Sequence, residues 1–197
     1  MLKANNSIEM NFVLEENTVL MKDVVVTANR YEVDRKEAAT IVNVITPKIF
    51  TVTNSVNLAE GLNYQPGLRV ENTCQNCGVN AVRINGLEGK YSQILIDSRP
   101  VFSSLAGVYG LEQIPVSMID RVEVIRGGGS AIFGSSAIGG VVNIITREPI
   151  RNSLDISNTT QLIGGKSWDN VTSMNAALVS SNRKAGATIF GMNRERQ

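Results

Sequence analysis

The side chains with the clearest chemical potential are two cysteines, which stand in the stretch Cys74-Gln75-Asn76-Cys77. A Cys-x-x-Cys pair can be a redox centre, half of a metal site or a local disulfide. A structural zinc site needs about four ligands, and this chain has no histidine and no other cysteine to complete one. A redox pair is expected at the start of a helix, whereas a strand-like run at 81–85 follows here. The pattern favours a structural Cys74–Cys77 disulfide in an oxidising compartment, with a thiol–disulfide enzyme as the alternative.

A glycine-dense stretch at 127–140 could, by its spacing, bind phosphate. Residues 129–136 read Gly-x-x-x-x-Gly-Ser-Ser, but Ser135 stands where a nucleotide-binding loop needs lysine. The dinucleotide fingerprint also fails, because Ile132 takes the place of its third glycine. The sequence therefore argues against nucleotide binding. It predicts instead a tightly turned unit of strand, short helix and strand, since glycine adopts positive φ without steric cost.

Three charged residues, Arg83, Glu123 and Arg126, lie in short strand-like runs among apolar neighbours. The simplest interpretation is that they project into solvent. If the two arginines share one surface, acidic partners are expected there, because arginine is costly to bury unpaired.

Composition excludes several functions. With a net charge of +1 over 197 residues and no basic cluster, the chain has no field that would gather nucleic acid. The absence of histidine removes the usual general base and the commonest metal ligand. No apolar run reaches the roughly 20 residues of a membrane-spanning helix, and no signal peptide is evident. We therefore expect no catalysis, no cofactor and no metal site.

The elements that position these residues follow from pattern and turn chemistry. A strand at 23–30 reads as an ordinary edge strand or as a docking strand with no neighbour to pair with. A helix is expected from Asn54 or Ser55 to 63, because either residue can cap it and Pro66-Gly67 ends it. Further strands are predicted at 8–14, 41–45, 68–71, 81–85, 93–97, 122–126 and 141–146.

Residues 150–197 differ from the rest of the chain in their pattern of polar and apolar residues. Segments 154–163, 170–180 and 184–193 alternate in polarity over about ten residues, which is typical of transmembrane β-strands. A loop is predicted at 164–169 and a tight turn at 181–183. Three such strands cannot close a barrel, which needs about eight. Their apolar faces are expected to pack on the rest of the chain or on a second copy.

Residues 119–146 resemble the end of the plug domain of TonB-dependent outer-membrane receptors, whose pattern is Arg-Val-Glu-Val-x-Arg-Gly-Pro-x-Ser-x-x-Tyr-Gly-x-x-Ala-x-Gly-Gly-x-Val-Asn-Ile-x-Thr. The departures are Gly128 for proline and Phe133 for tyrosine. Stretches 58–70, 82–87 and 93–101 also resemble the family, with Ser98 where glycine is usual. The residues that fall on the pattern are Ser130, Gly134, Ala137, Gly139, Gly140, Val142, Asn143, Ile144 and Thr146.

The resemblance implies an α+β fold, in which a small mixed β-sheet with short helices is followed by strands of a truncated β-barrel. The expected division is 1–22 as the tail of a preceding extension domain, 23–40 as TonB box and linker, 41–149 as plug, and 150–197 as first barrel strands. The chain is thus expected to be a piece of a larger receptor, with the plug inside the barrel.

The resemblance also implies roles for individual residues. Arg83, Glu123 and Arg126 match the region that latches the plug to barrel glutamates. The residues of the TonB box would be Asp23, Val24, Val25, Val26, Thr27 and Ala28. Apex loops near 74–80, 88–92 and 102–109 supply the candidate substrate contacts Asn76, Gly78, Asn80, Glu88, Tyr91, Phe102 and Tyr109.

The expected function is gating of an outer-membrane importer for a scarce nutrient such as an iron–siderophore complex, haem or a cobalamin. The implied partners are the TonB C-terminal domain on the periplasmic side, the receptor's own β-barrel and a small-molecule metal chelate or cofactor substrate. Carbohydrate importers with a partner lipoprotein are an alternative within the family. A free-standing β-rich binding or adhesion module is the alternative outside it.

Overall fold

The computed structural model describes residues 25–26, 33–34, 38, 40–74, 79–101, 111–128 and 130–196. Helices α1, α2 and α3 are Pro47–Val52, Leu58–Leu62 and Ser130–Phe133. The strands are β1 (Val25–Val26), β2 (Val33–Asp34), β3 (Val42–Ile45), β4 (Leu68–Cys74), β5 (Val79–Ile84), β6 (Ser92–Ile96), β7 (Arg99–Pro100), β8 (Ile119–Arg126), β9 (Gly140–Thr146), β10 (Ser153–Ile163), β11 (Ser167–Val179) and β12 (Gly186–Arg196). Short 3-10 helices lie at Gly89–Tyr91, Val116–Met118 and Ser135–Ala137. The strand predicted at 8–14 lies outside the described residues.

A five-stranded mixed sheet in the order β3-β8-β9-β6-β7 forms the centre of the first part of the chain. All its pairings are antiparallel except β6 with β9, which is parallel. Strands β8 and β9 are rich in Val and Ile, and both are buried along most of their length. Such runs suit central strands covered on both faces. The strands predicted at 41–45, 93–97, 122–126 and 141–146 and the α+β class are confirmed.

Two apolar clusters cover the faces of this sheet. The larger joins β8 and β9 to the first two helices through residues such as Phe50, Leu58, Leu62 and Ile144. The smaller joins the other face to the glycine-dense unit through Phe133 and its neighbours. The central strands are therefore held on both sides, which fixes the backbone from which their charged side chains extend.

The helix predicted from Asn54 or Ser55 to 63 is wrong in its start. Only α2 lies in this stretch, α1 precedes it, and Asn54 stands between the two helices with a φ of 50°. A residue in this left-handed conformation cannot continue a helix. The true cap is Asn57, whose Oδ1 accepts a hydrogen bond of 3.0 Å from the backbone N–H of Glu60. The signal for the missed helix was Pro47 at its first position.

The glycine-dense unit forms as predicted, with α3 between β8 and β9. Gly140 shows why glycine is needed where β9 begins. Its φ is 143°, and a Cβ there would overlap the carbonyl oxygen of Ile125. The ladder between β8 and β9 starts with Arg126 opposite Gly140, and this pairing is possible only because residue 140 has no side chain.

A separate three-stranded antiparallel sheet, β10-β11-β12, follows. Strand β11 begins at Ser167, so the loop predicted at 164–169 is wrong in length; Gly164 and Gly165, at φ values of 59° and 72°, make a tighter turn. On β11, Asp169, Val171 and Asn175 are buried. Their neighbours on the opposite face, such as Trp168, are exposed. The predicted alternation is confirmed for β11, whose buried face packs against the first part of the chain. Strands β10 and β12 carry no buried residue.

Candidate functional site

Arg126, at the end of β8, ties this strand to the loop that precedes β4. One guanidinium nitrogen donates a hydrogen bond to the carbonyl of Pro66. Gly67, at a φ of 77°, lies so close that a Cβ there would be 3.3 Å from the Arg126 Cζ. The Arg126 Nε is buried and has no hydrogen-bond partner among the described residues. A buried donor without a partner is costly, so an acceptor supplied to this Nε would stabilise the site.

Arg83 lies on the hairpin formed by β4 and β5 and forms an ion pair with Glu71. Glu71 also contacts Arg69 across 3.3 Å, and Arg69 stands opposite Arg83 in the strand register. The carboxylate thus sits between two guanidinium groups. The Arg83 side chain is 34 % exposed, so the simple expectation of a solvated arginine is only partly met.

Glu123 is fully buried, so the expectation that it projects into solvent is wrong. Its carboxylate pairs with Arg121, the Nε–Oε1 distance being 2.9 Å, and Arg121 also contacts Asp120 at 3.0 Å. Burial acts to lower the pKa of Arg121, but Glu123 and Asp120 outweigh it and raise the pKa above its ordinary value. The charge of Glu123 is therefore compensated by its neighbour two residues away on the same strand.

Among the candidate substrate contacts that the structure describes, Asn80 is buried and Glu88 is exposed. Asn80 is only 7 % exposed, and its amide donates a hydrogen bond of 2.8 Å to Glu112. It therefore holds the start of the 111–118 segment and is not an open contact. Glu88 and Lys90 form an exposed ion pair of 2.7 Å. Four further candidates lie outside the described residues: Asn76, Gly78, Phe102 and Tyr109.

Tyr91 belongs with the exposed pair, because the Lys90 Nζ lies 5.0 Å from the centre of its ring. The Lys90 ammonium hydrogen-bonds to Glu88 and holds the pKa of that carboxyl below its ordinary value. Cys74 ends β4, whereas Cys77 is outside the described residues, so the disulfide stays a prediction.

The segment predicted as a docking strand is described only at Val25 and Val26. These residues pair antiparallel with Val33 and Asp34 in a two-stranded ladder. The expectation that this strand has no neighbour is wrong for these two positions, because the chain turns back and supplies one. The remaining residues of the predicted box, Asp23, Val24, Thr27 and Ala28, lie outside the described part of the chain.

A group of ionic side chains that the sequence did not reveal joins α2 to the three-stranded sheet. The Nη2 of Arg194 lies 3.2 Å from the Glu60 Oε1 and 2.5 Å from the Asp169 Oδ2. Arg196 adds a contact of 3.1 Å to Asp169. Glu60 and Arg194 are separated by 134 residues, so no local pattern could have linked them.

A cavity of about 520 Å³ with a mixed polar and apolar lining lies beside these contacts, between α1 and strands β10 and β11. Its wall includes hydroxyl groups from both sides and the charged groups of Arg147 and Asp155. The two parts of the chain thus meet partly through polar surface. Within the described ranges, no helix is long and apolar enough to cross a membrane. No group of three or more metal-binding carboxylates and thiols occurs among these same residues.

Comparison with known proteins gives the family. The model described as the TonB-dependent Receptor Plug Domain matches residues 34–141. The ferric citrate transporter FecA in the unliganded form matches with a TM-score of 0.70 and 24% identity over 83% of this chain and 26% of that one. A mutant of the ferric enterobactin receptor from Pseudomonas aeruginosa, in complex with enterobactin, matches with a TM-score of 0.63 and 23% identity over 81% of this chain and 25% of that one.

The pyoverdine outer membrane receptor FpvA from Pseudomonas aeruginosa has the same fold at 14% identity. Its TM-score is 0.64, over 86% of this chain and 24% of that one. The chain thus spans about a quarter of the length of these solved structures. Since the family model covers more than half of the sequence, the chain belongs to the TonB-dependent receptor plug domain family, whose location is the outer membrane.

Proposed function

We propose that the chain is the plug of an outer-membrane importer for an iron–siderophore complex, followed by the first strands of its barrel. The observation that carries this proposal is the family match over residues 34–141 together with solved receptors of the same fold. The relatives named above are receptors for enterobactin, ferric citrate and pyoverdine. They favour a siderophore over haem or a cobalamin. The plug performs no chemistry in this proposal and acts as a gate.

Substrate class can be tested in the complete receptor. A panel of ferric enterobactin, ferric citrate, ferric pyoverdine, haem and cobalamin would be titrated and binding followed by fluorescence quenching. We expect one of the ferric siderophores to bind. Binding of haem or cobalamin alone would overturn the siderophore assignment while leaving the family unchanged.

The segment containing Val25 and Val26 is the proposed TonB-docking strand. Addition of a strand to another sheet uses backbone N–H and C=O groups, and proline removes the N–H and restricts φ. Titration of a TonB C-terminal domain against this chain should therefore show binding that Val25→Pro abolishes. Val25→Thr is the matched control, because threonine keeps the N–H and a β-branched side chain. Equal binding by the proline variant would refute the docking role.

Arg126 and Arg83 are the proposed latch to carboxylates elsewhere in the receptor. Support comes from the buried Nε of Arg126, which lacks an acceptor among the described residues. A carboxylate is the acceptor that would gain most from a guanidinium partner. In the complete receptor, Arg126→Glu should loosen the plug and admit small solutes to the periplasm. An unchanged permeability barrier would remove this role from Arg126.

A further inference from the structure

The ionic group between the plug and the three-stranded sheet takes one residue from the plug and three from the sheet. Glu60 is contributed by the plug helix α2, whereas Asp169, Arg194 and Arg196 belong to β11 and β12. The side chains of Asp169 and Arg194 are 3 % and 15 % exposed, and that of Glu60 is 35 % exposed. The contact between the two parts thus lies at the more solvated edge of the group.

On the sheet side, Arg194 forms a two-bond ion pair with Asp169 that does not involve the plug. Its Nε lies 2.9 Å from the Asp169 Oδ1, and its Nη2 lies 2.5 Å from the Oδ2 of the same carboxylate. Two parallel hydrogen bonds of this kind fix the plane of the guanidinium as well as its position. Asp169 therefore keeps Arg194 oriented toward the plug whether or not Glu60 is present.

On the plug side, Glu60 has partners that do not depend on the sheet. Its Oε2 accepts a hydrogen bond of 3.0 Å from the backbone N–H of Val56, and its Oε1 accepts one of 3.3 Å from the amide of Asn57. The Asn57 side chain in turn accepts from the Glu60 N–H. This reciprocal arrangement resembles a capping box, which stabilises the start of a helix by itself.

We propose that Glu60 and Arg194 form a releasable clasp between the plug and the first strands, and that Asp169 is its positioning residue. Breaking a buried ion pair is costly mainly when it leaves an uncompensated charge. Here each half keeps hydrogen-bond partners after separation, Glu60 with Val56 and Asn57, and Arg194 with Asp169, although the opposite charges of the two halves no longer compensate each other. The detached plug side carries one negative charge and the sheet side, with two arginines and one aspartate, a net positive charge. The halves therefore attract each other and can re-form the contact.

The use of this clasp in transport rests on the proposed gate function, but the clasp itself can be tested in this chain alone. Hydrogen–deuterium exchange would be followed for peptides covering α2 and β12, since protection reports local opening. Glu60→Gln keeps an acceptor for Val56 and removes the charge. It should speed exchange in β12 measurably but by no more than about fivefold, in line with a partly exposed ion pair, and leave α2 protected.

Asp169→Asn should have a much larger effect, more than about tenfold in β12, because it leaves Arg196 without its carboxylate and Arg194 with only the more exposed Glu60. Asp169→Glu should restore most of the protection. Arg196→Gln is the matched control: it removes a charge from the same strand without touching Glu60, so the effect of Glu60→Gln on β12 exchange should be the same in its background.

The clasp is refuted if Glu60→Gln leaves β12 exchange at the wild-type rate or opens it as far as Asp169→Asn does. If Asp169→Asn does not fold, a salt titration decides instead. The difference between wild type and Glu60→Gln should vanish at about 1 M salt, where screening reaches about 3 Å, and persistence of that difference would contradict a releasable contact. None of these readouts involves TonB or substrate, so the clasp and the gate function can fail separately.

Discussion

Ser98 in the turn between β6 and β7 gives the sharpest test of how this plug is held together. Asp97 and Ser98 take φ values of 46° and 63°, which glycine or asparagine adopts more readily than serine. The Ser98 N–H donates a hydrogen bond of 2.9 Å to the Asn143 Oδ1, and the Asn143 Nδ2 lies 3.2 Å from the Ser98 Oγ. Asn143 is fully buried in β9. The turn conformation and the buried amide therefore depend on each other.

The perturbation is Ser98→Gly, made in wild type and in Asn143→Ala. Glycine relieves a left-handed conformation that costs other residues about 1–2 kcal/mol. It also loses the Oγ hydrogen bond, about 1 kcal/mol, and gains unfolded-state freedom, about 0.4–1 kcal/mol. These terms nearly cancel, so Ser98→Gly should change the free energy of unfolding of the wild-type chain by less than about 0.5 kcal/mol. Without Asn143 the hydrogen bond is already lost, and the same change should stabilise by about 0.5–1 kcal/mol.

Urea unfolding, followed by circular dichroism, would measure both values. Asn143→Ala alone should cost about 2–3 kcal/mol, for two buried hydrogen bonds and a small cavity. Arg183→Gly is the control for strain relief alone, because Arg183 has a φ of 54° and its side chain makes no hydrogen bond within the described ranges. An identical effect of Ser98→Gly in both backgrounds would show that the turn and Asn143 are independent, and the reasoning would be wrong.

Two further predictions concern packing and charge. A Cβ on Gly61 would overlap the buried ring of Phe50, so Gly61→Ala should lower the free energy of unfolding by about 1–2 kcal/mol despite its better helix propensity. Gly191→Ala, with open space around the Cβ, should be near neutral in the same urea unfolding assay. The lowered pKa of Glu88 means that its favourable contact is present above the ordinary pKa of glutamate and is lost as pH falls through the lowered one. NMR titration should show the lowered value, and Lys90→Ala should return it to normal; an unshifted pKa in the wild-type chain would contradict the pairing.

Local signals in the sequence were enough to predict the glycine-dense unit. Its turns require glycine at positions such as Gly140, and β-branched residues flank them, so each residue type matches the local backbone. The alternating strand β11 was also predictable, because one of its faces is buried, whereas β10 and β12 carry no buried residue. These features depend on neighbours close in sequence or on a simple period of two.

Other features depend on residues that are distant in the sequence. The amide that supports Ser98 comes from 45 residues later in the chain. Arg194, the partner of Glu60, comes from 134 residues later. The pairing of Val25 and Val26 with β2 covers only two residues, which is too short for any periodic signal. The helix predicted from Asn54 or Ser55 to 63 was placed too early because Asn54 and Ser55 are cap-forming residue types, whereas Asn54 adopts a left-handed turn and Asn57 caps the helix.

Strand β3 has a mechanical consequence. It lies at the edge of the five-stranded sheet and is bound to β8 by a ladder of only four residues, from Val42 opposite Ile125 to Ile45 opposite Val122. It is also the strand of this sheet that comes first along the chain, so tension applied to the N-terminal segment reaches it before β8, β9 or β6. Peeling β3 away would uncover the apolar side of Ile125 while leaving the three central strands paired. Under such tension, the sheet would separate first between β3 and β8, where only four residue pairs must be broken.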